Sequence, residues 1–240
     1  CNGGVWMPLS TATEVDDVAG TVTFADITDH GLDGQLVLTR DPACSALEFD
    51  GINDYVNCGN DSSLKPATAL TVELWAYKSD WGDGVTGRLL SCTQTGGYNV
   101  SVSAANLYGV VRVGGAYRYG TWPLSQLSTG WHHVVLTSSG EITRFYVDGV
   151  LRDTEDIGGS HDITYDSDNS ILIGAEAGGG DIPSDGYFAG RVDEVRIWSV
   201  VRSVQEIRES MHLVLEGNEA GLEGYWKLNE GTGLTATDAT

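Results

Sequence analysis

Residues 144–150 read Arg-Phe-Tyr-Val-Asp-Gly-Val, a run of strand-forming residues that ends in an Asp-Gly pair. Asp148 and Gly149 suit a two-residue type I′ turn, which requires positive φ at both central positions. The pair lies between two β-branched residues, Val147 and Val150. The segment therefore predicts a β-hairpin, which is the clearest local structural signal in the chain.

The same kind of pattern continues on both sides of this hairpin. Short runs rich in β-branched and aromatic residues are separated by Gly, Asp, Asn and Ser, with a spacing of roughly ten residues. These predicted strands cover residues 21–24, 34–39, 46–49, 55–58, 70–77, 88–92, 98–103, 107–113, 132–138, 144–147, 170–174, 188–192 and 195–199. The spacing predicts an all-β fold, a two-sheet antiparallel jelly-roll sandwich.

One short helix is predicted near the C-terminus. Ser203 and Glu206 have the spacing of a capping box, in which each side chain accepts a hydrogen bond from the other residue's backbone N–H. Ile207 and Met211 follow at helical spacing. We expect a helix over residues 203–212, packed on an edge or end of the sandwich.

The organisation of the 240 residues indicates one domain, 1–240, because no long polar linker divides them. The segments around Trp6 and Trp226 resemble each other loosely. Two interpretations follow from this similarity. Residues 224–240 either pack as a terminal strand of the same sandwich or begin a further copy in a tandem array.

Charge and composition exclude several classes of protein. The chain has 34 acidic and 13 basic residues, a formal net charge of −21. Nucleic acid and anionic lipid both require basic surfaces, so neither is an expected partner. Apolar residues make up 41% of the chain, enough for a packed core, but their runs are too short for membrane insertion.

The four cysteines are Cys1, Cys44, Cys58 and Cys92, and they allow three disulfide pairings. We favour Cys58–Cys92 with Cys1–Cys44, because Cys58 and Cys92 each end a predicted strand and Cys1 would fasten the N-terminal strand. The alternative is four reduced thiols in a cytosolic protein. The spacing of the cysteines does not suit a zinc site.

Six motifs occur in a recognisable order. The first is residues 47–56, Leu-Glu-Phe-Asp-Gly-Ile-Asn-Asp-Tyr-Val. The others are residues 71–75 (Thr-Val-Glu-Leu-Trp), 130–134 (Gly-Trp-His-His-Val), 145–149, 171–175 and 188–198. Together they resemble the laminin-G-like, pentraxin-like family of concanavalin A-type jelly rolls over roughly residues 45–231. The resemblance implies the jelly-roll fold, whereas this fold hosts lectins, adhesins, spacers and glycoside hydrolases alike.

The resemblance also implies a structural calcium ion. Asp50, Asn53 and Asp54 place three oxygen-bearing side chains on one turn, and family members often hold calcium between such a turn and an acidic strand. Asp193 would be the ligand from that strand. The alternative is that Asp50 and Asp54 form the turn by bonding their own backbone.

A cluster of aromatic residues indicates a site for a sugar. Tyr117, Arg118, Tyr119 and Trp122 lie within a few residues, and Tyr117 and Tyr119 share a strand face. Flat aromatic rings stack on sugars, and an arginine can hold a carboxylate or sulfate. We expect Trp81 to line the same rim. The alternative is that these tyrosines only pack against their neighbours.

We do not expect an enzyme. Hydrolases with this sandwich need two carboxylates that face one cleft, whereas Asp193 and Glu194 are adjacent and point to opposite faces.

His132 and His133 are adjacent as well, so we expect one to be packed and the other exposed.

The function we expect is that of an extracellular or cell-surface module that binds a glycan or a cell-surface protein without catalysis. The alternative from another class is a self-associating structural subunit of an extracellular array or filament. A glycoside hydrolase is the least favoured interpretation.

Overall fold

The computed structural model describes residues 46–82, 86–93, 96–103, 105–165, 169–177, 186–230 and 235–240, together with the backbone of 12–16, 21–24 and 183–185. The strands are β1 (Ala12–Asp16), β2 (Thr21–Phe24), β3 (Leu47–Asp50), β4 (Val56–Asn57), β5 (Leu70–Lys78), β6 (Gly87–Ser91), β7 (Tyr98–Ser103), β8 (Asn106–Val113), β9 (Ala116–Pro123), β10 (Gly130–Ser138), β11 (Ile142–Val147), β12 (Val150–Asp156), β13 (Leu172–Ile173), β14 (Glu176–Ala177), β15 (Pro183–Asp185), β16 (Ala189–Trp198) and β17 (Leu222–Trp226). The helix α1 spans Val204–Ser210.

Two antiparallel sheets form the sandwich, as the strand spacing predicts. The seven-stranded sheet has the order β12-β11-β10-β5-β16-β17, and β3 also pairs with β16. The six-stranded sheet has the order β4-β13-β6-β7-β8-β9. β1 pairs with β2, and β14 with β15, as separate two-stranded sheets. In the part of the chain described, no helix has the length and apolar character needed to span a membrane.

Both local predictions are confirmed. Asp148 and Gly149 join β11 to β12 with φ values of 53° and 67°, as the type I′ turn requires. At α1, the Ser203 hydroxyl accepts from the Glu206 backbone N–H, and the Glu206 carboxylate accepts from the Ser203 N–H at 2.7 Å. The capping box therefore fixes the start of the helix.

The hydrophobic core lies between the two sheets. Val72, Leu74 and Phe145 of the seven-stranded sheet and Tyr98 and Val100 of the six-stranded sheet are all fully buried there. Complete burial of an aliphatic or aromatic side chain is worth about 1.5–3 kcal/mol. Removal of this apolar layer from water is therefore what holds the sheets face to face.

Much of the outer face of the seven-stranded sheet is buried as well. Trp75 donates its indole N–H to the carbonyl of Met211 at 2.7 Å, and Ile207 of α1 packs against β10 and β11. His132 and His133 point to opposite faces, as expected, but both are buried, at 5% and 1% exposure. The expectation that one would be exposed is wrong, because α1 and the residues after it cover the outer face.

A buried ionic network joins the helix to this face. Glu73 is fully buried, and its carboxylate accepts the Trp198 indole N–H at 2.9 Å. Arg196 and Arg202 each approach the same carboxylate to 3.5 Å. Arg196 also donates to the carbonyl of Ser210 at 3.1 Å, at the last residue of α1. The guanidinium thus bonds a carbonyl at the C-terminal end of the helix, where a positive charge is favourable, and ties α1 to the sheet.

Carboxylates of the other sheet accept hydrogen bonds from backbone N–H groups at the outer edge of β9. The backbone N–H of Tyr119 donates to Glu155 at 2.8 Å, and that of Thr121 donates to Asp153 at 2.9 Å. Asp153 and Glu155 both lie on β12, the edge strand of the seven-stranded sheet. Unpaired edge N–H groups invite pairing with another chain, so these contacts protect β9 from strand addition.

The preferred disulfide pairing is wrong for Cys58 and Cys92, which are both reduced. The backbone N–H of Cys58 donates to the carbonyl of Ile171, and the register of β13 with β6 places Ile171 opposite Cys92 as well. The two cysteines thus flank one intervening strand, about 10 Å apart. A disulfide spans at most about 7 Å between Cα atoms. Cys1 and Cys44 lie outside the described residues.

The C-terminal segment contributes to the same sandwich. β17 pairs with β16, and Trp226 forms an isolated bridge with Asp238. The Tyr225 backbone N–H donates to the Asp238 carboxylate at 3.0 Å. These contacts are the ones expected of a terminal strand. The tandem array remains a prediction.

Replacing Glu73 with alanine should lower the free energy of unfolding by about 3–5 kcal/mol, because two buried arginines lose their shared carboxylate. Urea unfolding measures this change. The control is Glu48→Ala, since Glu48 forms an ion pair with Arg191 at 3.2 Å but its side chain is 71% exposed. That variant should lose less than about 1 kcal/mol. Equal losses in both variants would contradict a stabilising role for the buried network.

The double variant Asp153→Ala/Glu155→Ala should self-associate, because the edge N–H groups of β9 lose their acceptors. Light scattering coupled to gel filtration should give a larger apparent mass than wild type at equal concentration. Glu209→Ala/Glu216→Ala removes the same charge at exposed positions and serves as the control. An unchanged mass in the first double variant would show that these carboxylates do not guard the edge.

Candidate ligand-binding groove

A groove of about 320 Å³ lies on the outer face of the six-stranded sheet. Its lining comes from four adjacent strands and from β14. The lining residues are Arg88, Thr93, Asn99, Ser101, Ser103, Tyr108, Val110, Tyr117, Tyr119 and Glu176. Arg88 and the tyrosines of β9 stand three strands apart, or about 14 Å. The volume lies at the lower end of the range for small-molecule sites.

Strand alternation explains why these side chains share a face. In β7, Tyr98, Val100 and Val102 enter the core, so Asn99 and Ser101 point outward. Small polar side chains in the middle of a sheet leave a depression between larger neighbours. The register places them in cross-strand rows, with Asn99 opposite Val110, and Val110 opposite Tyr119.

The floor of the groove is a hydrogen-bonded row of small polar groups. The Ser101 hydroxyl donates to the side-chain oxygen (Oδ1) of Asn99 at 3.0 Å, and the side-chain Nδ2 of Asn99 donates to the Thr93 hydroxyl at 3.4 Å. Thr93 in turn lies 3.1 Å from the Ser91 hydroxyl. Thr93, Asn99 and Ser101 are all buried, so the row is held in one arrangement beneath the groove.

Three tyrosines form one wall. Tyr108 accepts a hydrogen bond from Asn106 at 3.3 Å, and Tyr119 is 48% exposed. The guanidinium of Arg112 lies 5.6 Å from the ring centre of Tyr117 and contacts it as a cation–π pair. The wall therefore offers aromatic surface together with hydroxyl groups that donate and accept hydrogen bonds.

An ion pair forms the opposite wall. Arg88 of β6 donates to Glu176 of β14 at 2.8 Å, and their side chains are 27% and 25% exposed. The backbone N–H of Arg88 donates to the carbonyl of Gly186 at 2.7 Å. The pair is thus fixed at the groove by neighbouring backbone and is partly shielded from water.

The structure separates the five residues expected to bind ligand. Tyr117 and Tyr119 line the groove. Arg118 points to the other face of β9 and pairs with Glu155 at 3.0 Å, and Trp122 points there too and stacks on Arg152 at 4.3 Å. Trp81 is 3% exposed within the core. A shared rim of all five residues is therefore wrong, because alternation sends Arg118 and Trp122 away from the tyrosines and packing encloses Trp81.

The four expected calcium ligands do not converge. The Asp50 carboxylate accepts the backbone N–H of Ile52 at 2.7 Å, and the Asp54 carboxylate accepts that of Asp50 at 2.9 Å. Asp50 pairs with Ala189, four residues before Asp193 on β16, which places Asp193 about 13 Å further along the strand. Among the described residues, no group of three or more His, Cys, Asp or Glu could hold a metal ion. This ligand set does not fit one calcium ion.

A Ser-His-Asp grouping lies at the start of β10. His132 Nδ1 is 2.8 Å from Asp148 Oδ2, and the Ser128 hydroxyl is 3.4 Å from His132 Nε2. The Ser128 carbonyl is closer to Nε2, at 2.9 Å, so this nitrogen donates a proton to it. A nitrogen that donates has no lone pair to take a serine proton, so the grouping is not arranged as a hydrolytic triad.

The hydrogen bonds of this grouping raise the pKa of His132. Burial by itself would lower the pKa of His132, but the bonds to Asp148 and to the Ser128 carbonyl outweigh burial and raise it. His133 differs, because burial and the charge of Arg196 lower its pKa to about 3. His132 thus favours its charged form more strongly than a free histidine does, whereas His133 is neutral at neutral pH.

The fold and the groove together define a jelly-roll sandwich of the concanavalin A type, with a polar and aromatic depression on one outer face. The chain belongs to the concanavalin A-like lectin/glucanases superfamily, since residues 50–208 match its Laminin_G_3 model. This confirms the resemblance found in the sequence. No curated protein sequence matches the chain.

Solved structures with a similar fold come from several sources. A candidate carbohydrate-binding protein from Bacteroides ovatus is 23% identical with a TM-score of 0.62, and the match covers 81% of this chain and 55% of that one. The chain thus spans about half the length of that protein. A sialidase CBM40 domain from Ruminococcus gnavus, bound to α2,3-sialyllactose, is 13% identical with a TM-score of 0.54 and coverage of 69% and 95%. A heptameric pentraxin from Limulus polyphemus is 20% identical with a TM-score of 0.50 and coverage of 70% and 82%.

Several residues that line the groove were not among the ligand-binding residues predicted from the sequence. Asn99 and Ser101 lie in a strand that was predicted, and their alternation with apolar neighbours already indicates a polar outward face. Arg88 and Glu176 left no such signal, because they are 88 residues apart and meet only because β13 pairs with β6 and leads directly into β14.

The His132 contacts should make stability depend on pH in one direction. Because the folded pKa lies above the unfolded value of about 6.5, the stabilisation is complete below that value and is lost as pH rises through the folded pKa. The difference in unfolding free energy between wild type and His132→Gln should therefore be larger at pH 5.5 than at pH 8.5. Asp148→Asn should remove the same pH dependence. A wild-type advantage that grows with pH would reverse the assignment.

Proposed function

We propose that this domain is a non-catalytic carbohydrate-binding module and that the groove on the six-stranded sheet is its binding site. The observation that carries the proposal is the juxtaposition of the wall formed by Tyr108, Tyr117 and Tyr119 with the polar floor of Asn99 and Ser101. A sugar ring has apolar C–H faces and hydroxyl edges. It therefore stacks on the wall and bonds to the floor at the same time.

Family membership supports this proposal. The superfamily includes lectins and glucanases, and two of the similar structures are described as a candidate carbohydrate-binding protein and as a CBM40 domain with a bound sugar. The proposal includes an extracellular or cell-surface location, where glycan ligands are displayed. It includes no calcium, since the four residues suggested for that ion do not share a site.

The groove favours binding over hydrolysis. Glycoside hydrolysis requires two carboxylates about 5–10 Å apart on either side of the bond to be cleaved. Among the described residues that line the groove, Glu176 supplies the one carboxylate, and Arg88 engages it. Glu194 lies on the other sheet, where Arg196 and Tyr225 bond its carboxylate in the buried network.

The array or filament interpretation gains less support. Assembly through sheet edges needs open strands, whereas the N–H groups of Tyr119 and Thr121 on β9 are bonded to carboxylates. Self-association through other surfaces remains a hypothesis without a specific contact to favour it.

Tyr119→Ala should weaken glycan binding by about three- to tenfold, the loss expected for one stacking contact. A glycan array identifies a binding sugar, and calorimetry measures the affinity of wild type and variant for it. Tyr117→Ala should weaken binding as well.

The matched control is Tyr55→Ala. Tyr55 is 43% exposed, close to the value for Tyr119, but it precedes β4 at the opposite edge of the six-stranded sheet. Tyr55→Ala should bind as wild type does. Equal binding by all three tyrosine variants, each with an unchanged melting temperature, would exclude the groove as the site.

A further inference from the structure

We propose that the groove selects uncharged sugars, and that the Arg88–Glu176 ion pair sets this preference because Glu176 balances the charge of the guanidinium that would otherwise attract a carboxylate or sulfate. This inference rests on the proposed function, since it names the class of sugar that the same site takes. It concerns selectivity rather than the existence of the site.

The charges at the groove cancel. Arg88 and Glu176 are its charged lining residues among those described, and they lie 2.8 Å apart. The other lining groups are hydroxyls, one amide and apolar surface. Arg112 lies on the same face of the sheet, but its guanidinium is held against the ring of Tyr117 and does not line the groove.

Partial burial stabilises the contact between Arg88 and Glu176. Both side chains are about three-quarters buried, so the attraction between them is stronger than that of an exposed pair. An anionic sugar would have to displace Glu176 from Arg88 and would leave that carboxylate beside its own negative charge. Like charges brought together in this way oppose binding, which is how interfaces reject unwanted partners.

A neutral sugar meets no such opposition. A sugar hydroxyl both donates and accepts, so it can accept from an arginine N–H and donate to a carboxylate lone pair at the same place. The intact pair therefore presents complementary groups to hydroxyl edges. The tyrosine wall opposite holds the ring face, and the distance of about 14 Å between the walls leaves room for a short oligosaccharide.

The test uses pairs of oligosaccharides that differ in charge. Lactose is compared with sialyllactose, and an oligogalactoside with an oligogalacturonide, by calorimetry on the wild-type domain. We expect the neutral member of a pair to bind at least about tenfold more tightly than the acidic one.

Glu176→Gln should shift this ratio towards the acidic member by about tenfold, because it frees the Arg88 guanidinium while conserving side-chain shape. The gained affinity should fall as sodium chloride is raised. The double variant Arg88→Gln/Glu176→Gln should lose the gain, since the cation is then absent.

Glu48→Gln is the matched control. It releases Arg191 from a similar ion pair on the seven-stranded sheet and changes the net charge by the same amount. Its ratio of neutral to acidic binding should equal that of wild type. A shift as large as that of Glu176→Gln would mean that total charge, rather than the groove pair, sets the preference.

The remaining outcomes distinguish the two proposals. Preference of the wild type for acidic sugars, weakened by Tyr119→Ala, would overturn the selectivity while supporting the binding site. An unchanged ratio in Glu176→Gln would likewise overturn the role of the ion pair. Failure of wild type to bind any neutral or acidic sugar would overturn the proposed function, and the selectivity with it.

Discussion

The burial of the Glu73 carboxylate is the constraint on which the seven-stranded sheet depends. A charge removed from water must find partners, and Arg196, Arg202 and the Trp198 indole converge on this one. The partners come from β16 and from the segment that enters α1. The helix, the sheet and the chain after the helix are therefore fixed together. Removing one member would leave the others charged and buried, which costs far more than an exposed ion pair contributes.

This network also determines where a ligand can bind. It covers much of the outer face of the seven-stranded sheet with a helix, two indoles and paired charges. In the described part of the chain no helix covers β7 and β8 of the six-stranded sheet, and the outward side chains of β7 are small and polar. Gly109 and Gly120 contribute on the inner face, where a Cβ atom would come within 2.7 Å and 2.3 Å of Phe145. The absence of side chains there lets β8 and β9 lie close to β11.

The sequence predicts those features that depend on neighbouring residues. The Asp148-Gly149 turn and the Ser203 cap are each encoded within a few positions, and both are present. The faces of β7 and β9 also follow from alternation, which places Tyr117 and Tyr119 together. Alternation does not reveal which face another element will cover, and for that reason the burial of both His132 and His133 was not predicted.

Features that depend on strand order were not predictable in the same way. Whether Cys58 can reach Cys92 depends on β13, which begins at Leu172, far beyond both cysteines in the chain, and enters the sheet between them. Whether Asp193 can join Asp50 depends on the register of β16 against β3. In both cases the residue types suit the suggested chemistry. The cysteines are kept apart by the strand between them, and Asp193 lies too far along β16 to reach Asp50.

The net charge of −21 and the charges inside the groove act on a ligand at different distances. At long range the acidic surface repels any anion, but at physiological salt that effect decays over about 8 Å. Within the groove, selectivity must come from groups at contact distance, where Arg88 is the cation and Glu176 its counter-ion. An acidic protein could still bind an acidic sugar if a local arginine were unpaired. The decisive quantity is therefore the local charge balance of the groove, and the global charge affects how often a ligand arrives rather than which ligand is held.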